Sequence, residues 1–362
     1  MLTKGDLQEI LDLALQRGGD FSDIYIENKK TTGIACEADK VERLNTGIDI
    51  GAGIRVISGE TTAYAYTNDV TKEGLTEAAR VVSHAAQGQK QNFVINLCQI
   101  KATVDFEVKE RPDEVHIDQK VDVVLRANQT VRNFDNRIKQ VSVGFGDIVQ
   151  DVIIANSEGV YVEDQRIRNR FMVNAVAAEG PVIQTGYNAI GGFAGFEIFE
   201  EFTPEAVAGE AARRAILMLE AKPAPAGKME VVMAGEAGGT MVHEACGHGL
   251  EADLAQKNLS VYSGKKGQKV ASELITVIDD STIANKYGSY SFDDEGVTSR
   301  KCLLIKDGEL TDYLYDRLSA RKEGRESNGH GRRESYQHKP IPRMGNTYIA
   351  SGKEDPEAII KS

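Results

Sequence analysis

The first apolar positions along the chain keep helical spacing: Leu7, Ile10, Leu11 and Ala14 recur every three or four residues, behind Thr3 with Asp6 three residues on. This predicts a capped helix that Gly18 and Gly19 end. From Ile24 to Tyr66 the period shortens to two, in "DIYIE", "TTGIACEA", "TGIDIGAGIRVIS" and "TTAYAYT", separated by Gly, Asn and Asp. Such alternation predicts short strands joined as hairpins, closing with "SGET". The helical period returns at Leu75, Ala78, Ala79 and Val82 and is expected to stop at Gly88, with His84 on that helix as a surface or packing side chain.

Residues 112–134, after Pro112, read as another helix, and "IKQVSVGF", "DVIIANSEGVYVED" and "FMVNAVAAE" as strands with "NSEG" as a hairpin turn. "FTPEAVAGEAARRAILMLEA" is a helix capped by Thr203 with Pro204 in its first turn, and "KPAPAGK" behind it is a linker. Next come a strand "KMEVVMAG", a strand "ELITVIDD", a hairpin "KCLLIKDGELTDYLY" and a short helix from Asp316. Residues 324–346 read as a long polar loop, a kind of segment that is often functional. The final "DPEAIIKS" resembles the first turns of a helix without a stop signal, so the last domain is expected to be incomplete. The pattern predicts an α+β fold: N-terminal antiparallel sheets with packed helices, then a β-rich C-terminal domain. The expected parts are an N-terminal α+β subdomain at 1–110, a central one at 111–225, and a C-terminal domain at 226–362.

At 362 residues the chain can bury a substantial core without staples. Its formal charge of -12 and pI near 5.2 give a field that repels polyanions, which argues against direct nucleic-acid or anionic-membrane binding. There is no run of eighteen apolar residues, and "MLTKGDLQEI" lacks the basic start and apolar block of a secretory signal. Cys36, Cys98, Cys246 and Cys302 lie far apart with no C-x-x-C pair, so reduced thiols and a cytoplasmic location are expected.

The chemistry concentrates in "MVHEACGHGL", where His243 and His248 stand five positions apart with Glu244 beside the first. On an ideal α-helix five residues separate two side chains by about 140°, against roughly 40° for four residues. A straight helix would aim the imidazoles apart, so the spacing predicts a π-bulge or a bend at Gly247 and Gly249. Glu244 falls at about 100°, between the two, where a base acting on a metal-activated water belongs; Cys246 falls at about 300° and reads as a core thiol. Such a set performs metal-assisted hydrolysis, in which Zn²⁺ lowers the pKa of a water to roughly 7 and the carboxylate takes its proton. A third ligand is needed. Glu251 could ligate or hydrogen-bond His248, or remain a solvated helix-end carboxylate; His330 and His338 could swing in from the loop, while Cys302 opens a strand where burial is expected.

"HEACGHGLEADL", "SYSFDDEGV" and "GRRESYQHKPIPRMGNTY" together resemble the TldD branch of the TldD/PmbA family of metalloproteases. The resemblance implies a zinc-dependent metallopeptidase acting on unfolded peptides or small proteins, with His243 and His248 as zinc ligands and Glu244 as the acid/base. In that family the third ligand is a cysteine in a Gly-rich segment close to the C-terminus, and no residue here matches it. The resemblance also implies a dimer, either of identical chains or with an inactive paralogue. A catalytically silent peptide-binding or partner subunit is the competing expectation. A regulator of DNA topology, after an old label of the family, is opposed by the acidic charge. Of the four arginines Arg325, Arg332, Arg333 and Arg343, pairing with the acidic "FDDEG" segment is favoured over holding a peptide carboxylate.

Overall fold

Thr3 accepts from the Asp6 amide at 3.2 Å while Asp6 accepts from the Thr3 amide at 2.9 Å, and this box starts helix α1 (Lys4–Ala14). Its stripe of Leu7, Ile10, Leu11 and Ala14 is buried as the spacing predicts. The structure is a computed structural model and describes residues 2–86, 88 and 94–362. Three strands follow: β1 (Phe21–Glu37), β2 (Lys40–Ser58) and β3 (Thr61–Thr67), then α2 (Lys72–Ala85). Gln87, beside the expected helix stop at Gly88, lies outside the described residues. His84 is exposed.

The expectation of short strands is corrected here. "DIYIE" and "TTGIACEA" belong to one strand, β1, which pairs with β2 from Phe21↔Ile57 to Glu37↔Lys40. Its polar middle stays extended because both edges of β1 are hydrogen-bonded, to β2 on one side and, from Asp23 to Glu37, to β5 (Ile138–Asn156) on the other. A central position in a sheet overrides weak local propensity.

Between them lie β4 (Cys98–Gln99) and α3 (Ile117–Arg132); α3 starts later than expected because Pro112–Glu114 form a separate 3₁₀ turn and His116 supplies the cap. After "NSEG" come β6 (Val160–Glu179), then β7 (Val182–Gly192), α4 (Ile198–Glu201) and α5 (Pro204–Leu219). The seven strands form one sheet in the order β3-β2-β1-β5-β6-β4, with β7 also on β6; only the β4 pairing is parallel. The segments on either side of residue 110 therefore share a sheet.

Strand alternation divides its faces. Ile24 of β1 packs beneath α1 and α2, and Ile34 and Cys36 of the same strand pack beneath α3 and α5 with Val141, Val143 and Phe145 of β5. The opposite face at one end carries Tyr25, Val152, Ile154 and Val162, which pack on Phe292 and Tyr336 of the C-terminal segment. Charges key this junction. Arg55 of β2 bonds Asp23 and, at 2.7 Å, Glu295; Arg333 reaches Asp23 at 3.0 Å; and Glu27 accepts the Tyr336 amide at 2.8 Å.

Past α5 the expected strand "KMEVVMAG" is absent: residues 221–234 carry no regular element. Met229, Val231, Val232 and Met233 are exposed, and no described strand pairs with them. β-propensity without a partner edge is insufficient. The chain continues as α6 (Gly235–Val242), a turn region, α7 (Ala252–Gln256), β8 (Val277–Asp280), β9 (Lys301–Lys306) and β10 (Glu309–Leu310). Then follow α8 (Arg317–Lys322), which Asp316 caps, β11 (Gly331–Arg332), β12 (Ile341–Pro342), β13 (Thr347–Ile349) and α9 (Pro356–Lys361). A four-stranded antiparallel sheet runs β10-β9-β8-β13. The fold class is α+β with antiparallel sheets and packed helices.

The polar segment 324–346 is not a solvated loop. His330 is fully buried and Tyr336 nearly so. His330 Nε2 stands 3.0 Å from Asp279 of β8, and Asp279 also accepts from the Gly345 amide and the Thr347 hydroxyl. Among the described residues no helix is long and apolar enough to cross a membrane.

Candidate metal centre

Beyond Val242 the α-helix widens into a π turn over His243–Gly247, closed by the His248 amide on the His243 carbonyl. A 3₁₀ turn, His248–Leu250, follows, and Glu251 is extended. The distortion expected from the five-residue spacing is present. It brings the two imidazoles edge to face, with ring centroids 4.7 Å apart and planes at 84°. Ligand atoms of His243, Glu244 and His248 all lie within 4.8 Å of one another. His243 and Glu244 are exposed and His248 half-buried, so the cluster opens to solvent.

Two glycines permit this turn. A Cβ on Gly247 would stand 2.0 Å from the Met344 sulfur, and one on Gly249 would stand 2.9 Å from the Tyr262 ring. On the far side the chain is pinned: Leu314 donates to Leu250 O at 2.8 Å and Ala252 donates to Leu314 O at 2.9 Å. The turn is thus held between Met344 and the buried backbone of Leu314.

Glu251 is not a solvated carboxylate; it is 1% exposed. One oxygen stands 3.2 Å from His248 Nδ1, and Arg343 Nη1 donates to both oxygens at 3.3 and 3.2 Å. Burial pushes the Glu251 carboxyl up, against the downward pull of Arg343 and His248. A neutral His248 that donates Nδ1–H to the Glu251 carboxylate would keep its lone pair on Nε2, free to meet a metal. The donor set therefore fits a divalent metal ion: imidazoles beside a carboxylate, with one ring next to a buried acid.

The other sequence candidates do not join the cluster. Cys246 packs against the core of Leu250 and Leu314 and receives the Tyr262 hydroxyl at 3.5 Å. Cys302 is buried, as expected for its strand. His330 is held by Asp279 and Asn328, and His338 lies exposed, 3.1 Å from Ser335 Oγ. Neither swings in. Of the arginines, Arg332 turns its guanidinium to the acidic segment, at Asp294; Arg333 meets the Asp294 carboxylate through its backbone amide and pairs its side chain with Asp23. Arg325 instead pairs with Asp312, and Arg343 with Glu251. The role of Arg343 was missed, since 92 residues separate it from Glu251 and no local signal links them.

Two histidines and a glutamate converging at a distorted helix end could hold a metal ion, as a metallopeptidase centre would. Residues 22–86, 110–219 and 226–362 match, in order, domain 1, the central domain and the C-terminal domain of the PmbA/TldA metallopeptidases. The chain belongs to the TldD/PmbA metallopeptidase family. It is 33% identical to a metalloprotease TldD homologue of Haemophilus influenzae, covering 100% of this chain and 76% of that protein. It is 34% identical to a metalloprotease of Methanocaldococcus jannaschii, covering 100% and 79%. In fold it resembles TldE of Thermococcus kodakarensis, at TM-score 0.77 and 19% identity over 98% of this chain and 80% of that one. A Thermotoga maritima protein described as a candidate modulator of a DNA gyrase gives TM-score 0.81 at 22% identity, over 97% and 78%.

Proposed function

We propose that this chain is a zinc-dependent metallopeptidase hydrolysing unfolded peptides or small proteins in the cytoplasm, with His243 and His248 as ligands and Glu244 as acid/base. The observation that carries the reading is the π turn, which gathers His243, Glu244 and His248 where a regular helix would separate them. A zinc ion bound there would supply Lewis acidity, polarising a peptide carbonyl and lowering the pKa of a water to roughly 7. Glu244 is exposed beside both rings, so it can take a proton from the attacking water and return it to the leaving amine. Glu251, accepting from Nδ1–H, would hold His248 in one tautomer throughout. The openness of the cluster suits an extended peptide read through its backbone. The proposed working form is a dimer, with an identical chain or an inactive paralogue.

Within the cluster Glu244 has two duties open to it, base or ligand, because its oxygen lies within 4.8 Å of a nitrogen of each imidazole. The same position argues that two imidazoles need a further donor, as catalytic zinc takes three protein ligands. Glu244→Gln separates the duties. A base is expected to lose peptide hydrolysis by about 100-fold or more while zinc content is kept. Loss of zinc together with activity assigns Glu244 as ligand, and undiminished hydrolysis removes it from the chemistry. A catalytically silent binder would hydrolyse no peptide in either form.

A further inference from the structure

A cavity of about 570 Å³ adjoins the π turn on the Met344 side, lined by Arg332, His338, Lys339, Ile341, Arg343 and Met344 among others. It touches the cluster at two points. Met344 fills the space that any side chain on Gly247 would need, and Arg343 shares the Glu251 carboxylate with His248. In a chain of net charge -12 this wall is unusually cationic, with Arg332, Arg333, Lys339 and Arg343 against the single acid Glu334.

These cations differ in how far they are already committed. Arg333 is spent on Asp23 and is buried. Arg332 lies 4.6 Å over the Tyr290 ring, its Nε 3.8 Å from Asp294 and without a hydrogen bond although buried. Arg343 engages Glu251 through Nη1 alone and its side chain remains 45% exposed. Lys339 is exposed and has no ion-pair partner among the described residues. Arg343 and Lys339 thus present donors to one cavity beside the reacting centre, with Arg332 adding positive charge to its wall. A peptide carboxylate is the ligand that planar guanidinium forks and an ammonium recognise together.

We propose that this cavity is a carboxylate subsite, taking an acidic group of the substrate a few residues from the scissile bond; the inference rests on the peptidase reading. The carboxylate has two sources in a peptide, its C-terminus or an Asp or Glu side chain. Both use the same donors, and the test separates them.

Binding of otherwise neutral peptides carrying an uncharged fluorophore is followed by anisotropy on the full chain. Four peptides are used: free acid, C-terminal amide, and amides with one internal Glu or its Gln counterpart. Carboxylate forms are expected to bind about 10- to 100-fold more tightly than their neutral twins, with the advantage shrinking in salt. The pair that shows the difference names the source. Lys339→Glu, at an exposed position, is expected to bring the acid-to-neutral ratio close to one, and Lys339→Met to lower it part-way. Equal binding of every acid and neutral twin, or an unchanged ratio in both Lys339 variants, overturns the subsite. Hydrolysis is read on the same peptides: cleavage without carboxylate preference leaves the peptidase standing and removes the subsite. Preference without any cleavage does the reverse.

Discussion

Glu251, 1% exposed, stands 3.2 Å from His248 Nδ1 and is itself gripped by Arg343, so one imidazole of the cluster is oriented from inside the protein. A ligand whose far nitrogen is fixed in this way loses about 10- to 100-fold in metal affinity when the fixing group is removed. Glu251→Ala is therefore expected to weaken zinc binding by that factor, measured by chelator competition. Glu251→Gln, which can still accept from Nδ1–H, is expected to lose less. Equal zinc affinity in wild type and Glu251→Ala would show that His248 needs no such support.

Gly247 and Met344 are coupled by shape. A Cβ on Gly247 meets the end of the Met344 side chain, which is flexible, rather than backbone. Gly247→Ala is expected to destabilise by about 1–3 kcal/mol through overpacking. Met344→Ala in the same chain should recover much of that loss, since it vacates the contested space. Urea unfolding of the two singles and the double gives the coupling directly. Additive effects would mean that the clash is relieved elsewhere.

Much of this architecture is written locally. The stripe of α1, the Thr3 and Thr203 caps and the "NSEG" turn depend on neighbours within four residues, and each stands where its pattern puts it. The π turn was legible for a related reason: five-residue spacing is a statement about angle, and only a distorted helix makes two histidines meet. What could not be read depends on distant partners. β1 is continuous because β2 and β5 flank it, and "KMEVVMAG" is no strand because no described edge receives it. The pairing of Arg343 with Glu251 spans 92 residues, and the β7 strand, rich in Gly, had no hydrophobic alternation to announce it.

Arg55 is the centre of the junction between the large sheet and the C-terminal segment. Its side chain is 1% exposed and its partners Asp23 and Glu295 are fully buried. Removing one partner of a buried ion network strands the others, at a cost of about 3–5 kcal/mol. Arg55→Ala is expected to lower stability by that amount in urea unfolding. It should also loosen the C-terminal segment first, seen as faster amide exchange around Glu295 and Arg317, because Glu295 also accepts the Arg317 amide. Uniform exchange across both parts would make the network a general stabiliser and not a junction.

Asp316 offers a pH test with a defined sign. It is 3% exposed, caps α8 through the Ser319 amide at 2.8 Å, and its carboxyl is pushed up to about 6, by burial first and then by the nearby Glu295. A carboxyl whose folded value exceeds its unfolded value of about 3.9 contributes stability that is present in full below the unfolded value and lost as pH rises through the folded one. Asp316→Asn keeps a cap acceptor but does not titrate. The stability of wild type relative to Asp316→Asn is therefore expected to fall between pH 4 and pH 7, by on the order of 2–3 kcal/mol. Thermal or urea unfolding of both proteins at half-unit pH steps reads this difference directly, and other titrating groups cancel between them. A difference that stays level over this range would mean that Asp316 is ionised in the folded chain throughout, its charge offset by the Ser319 donors.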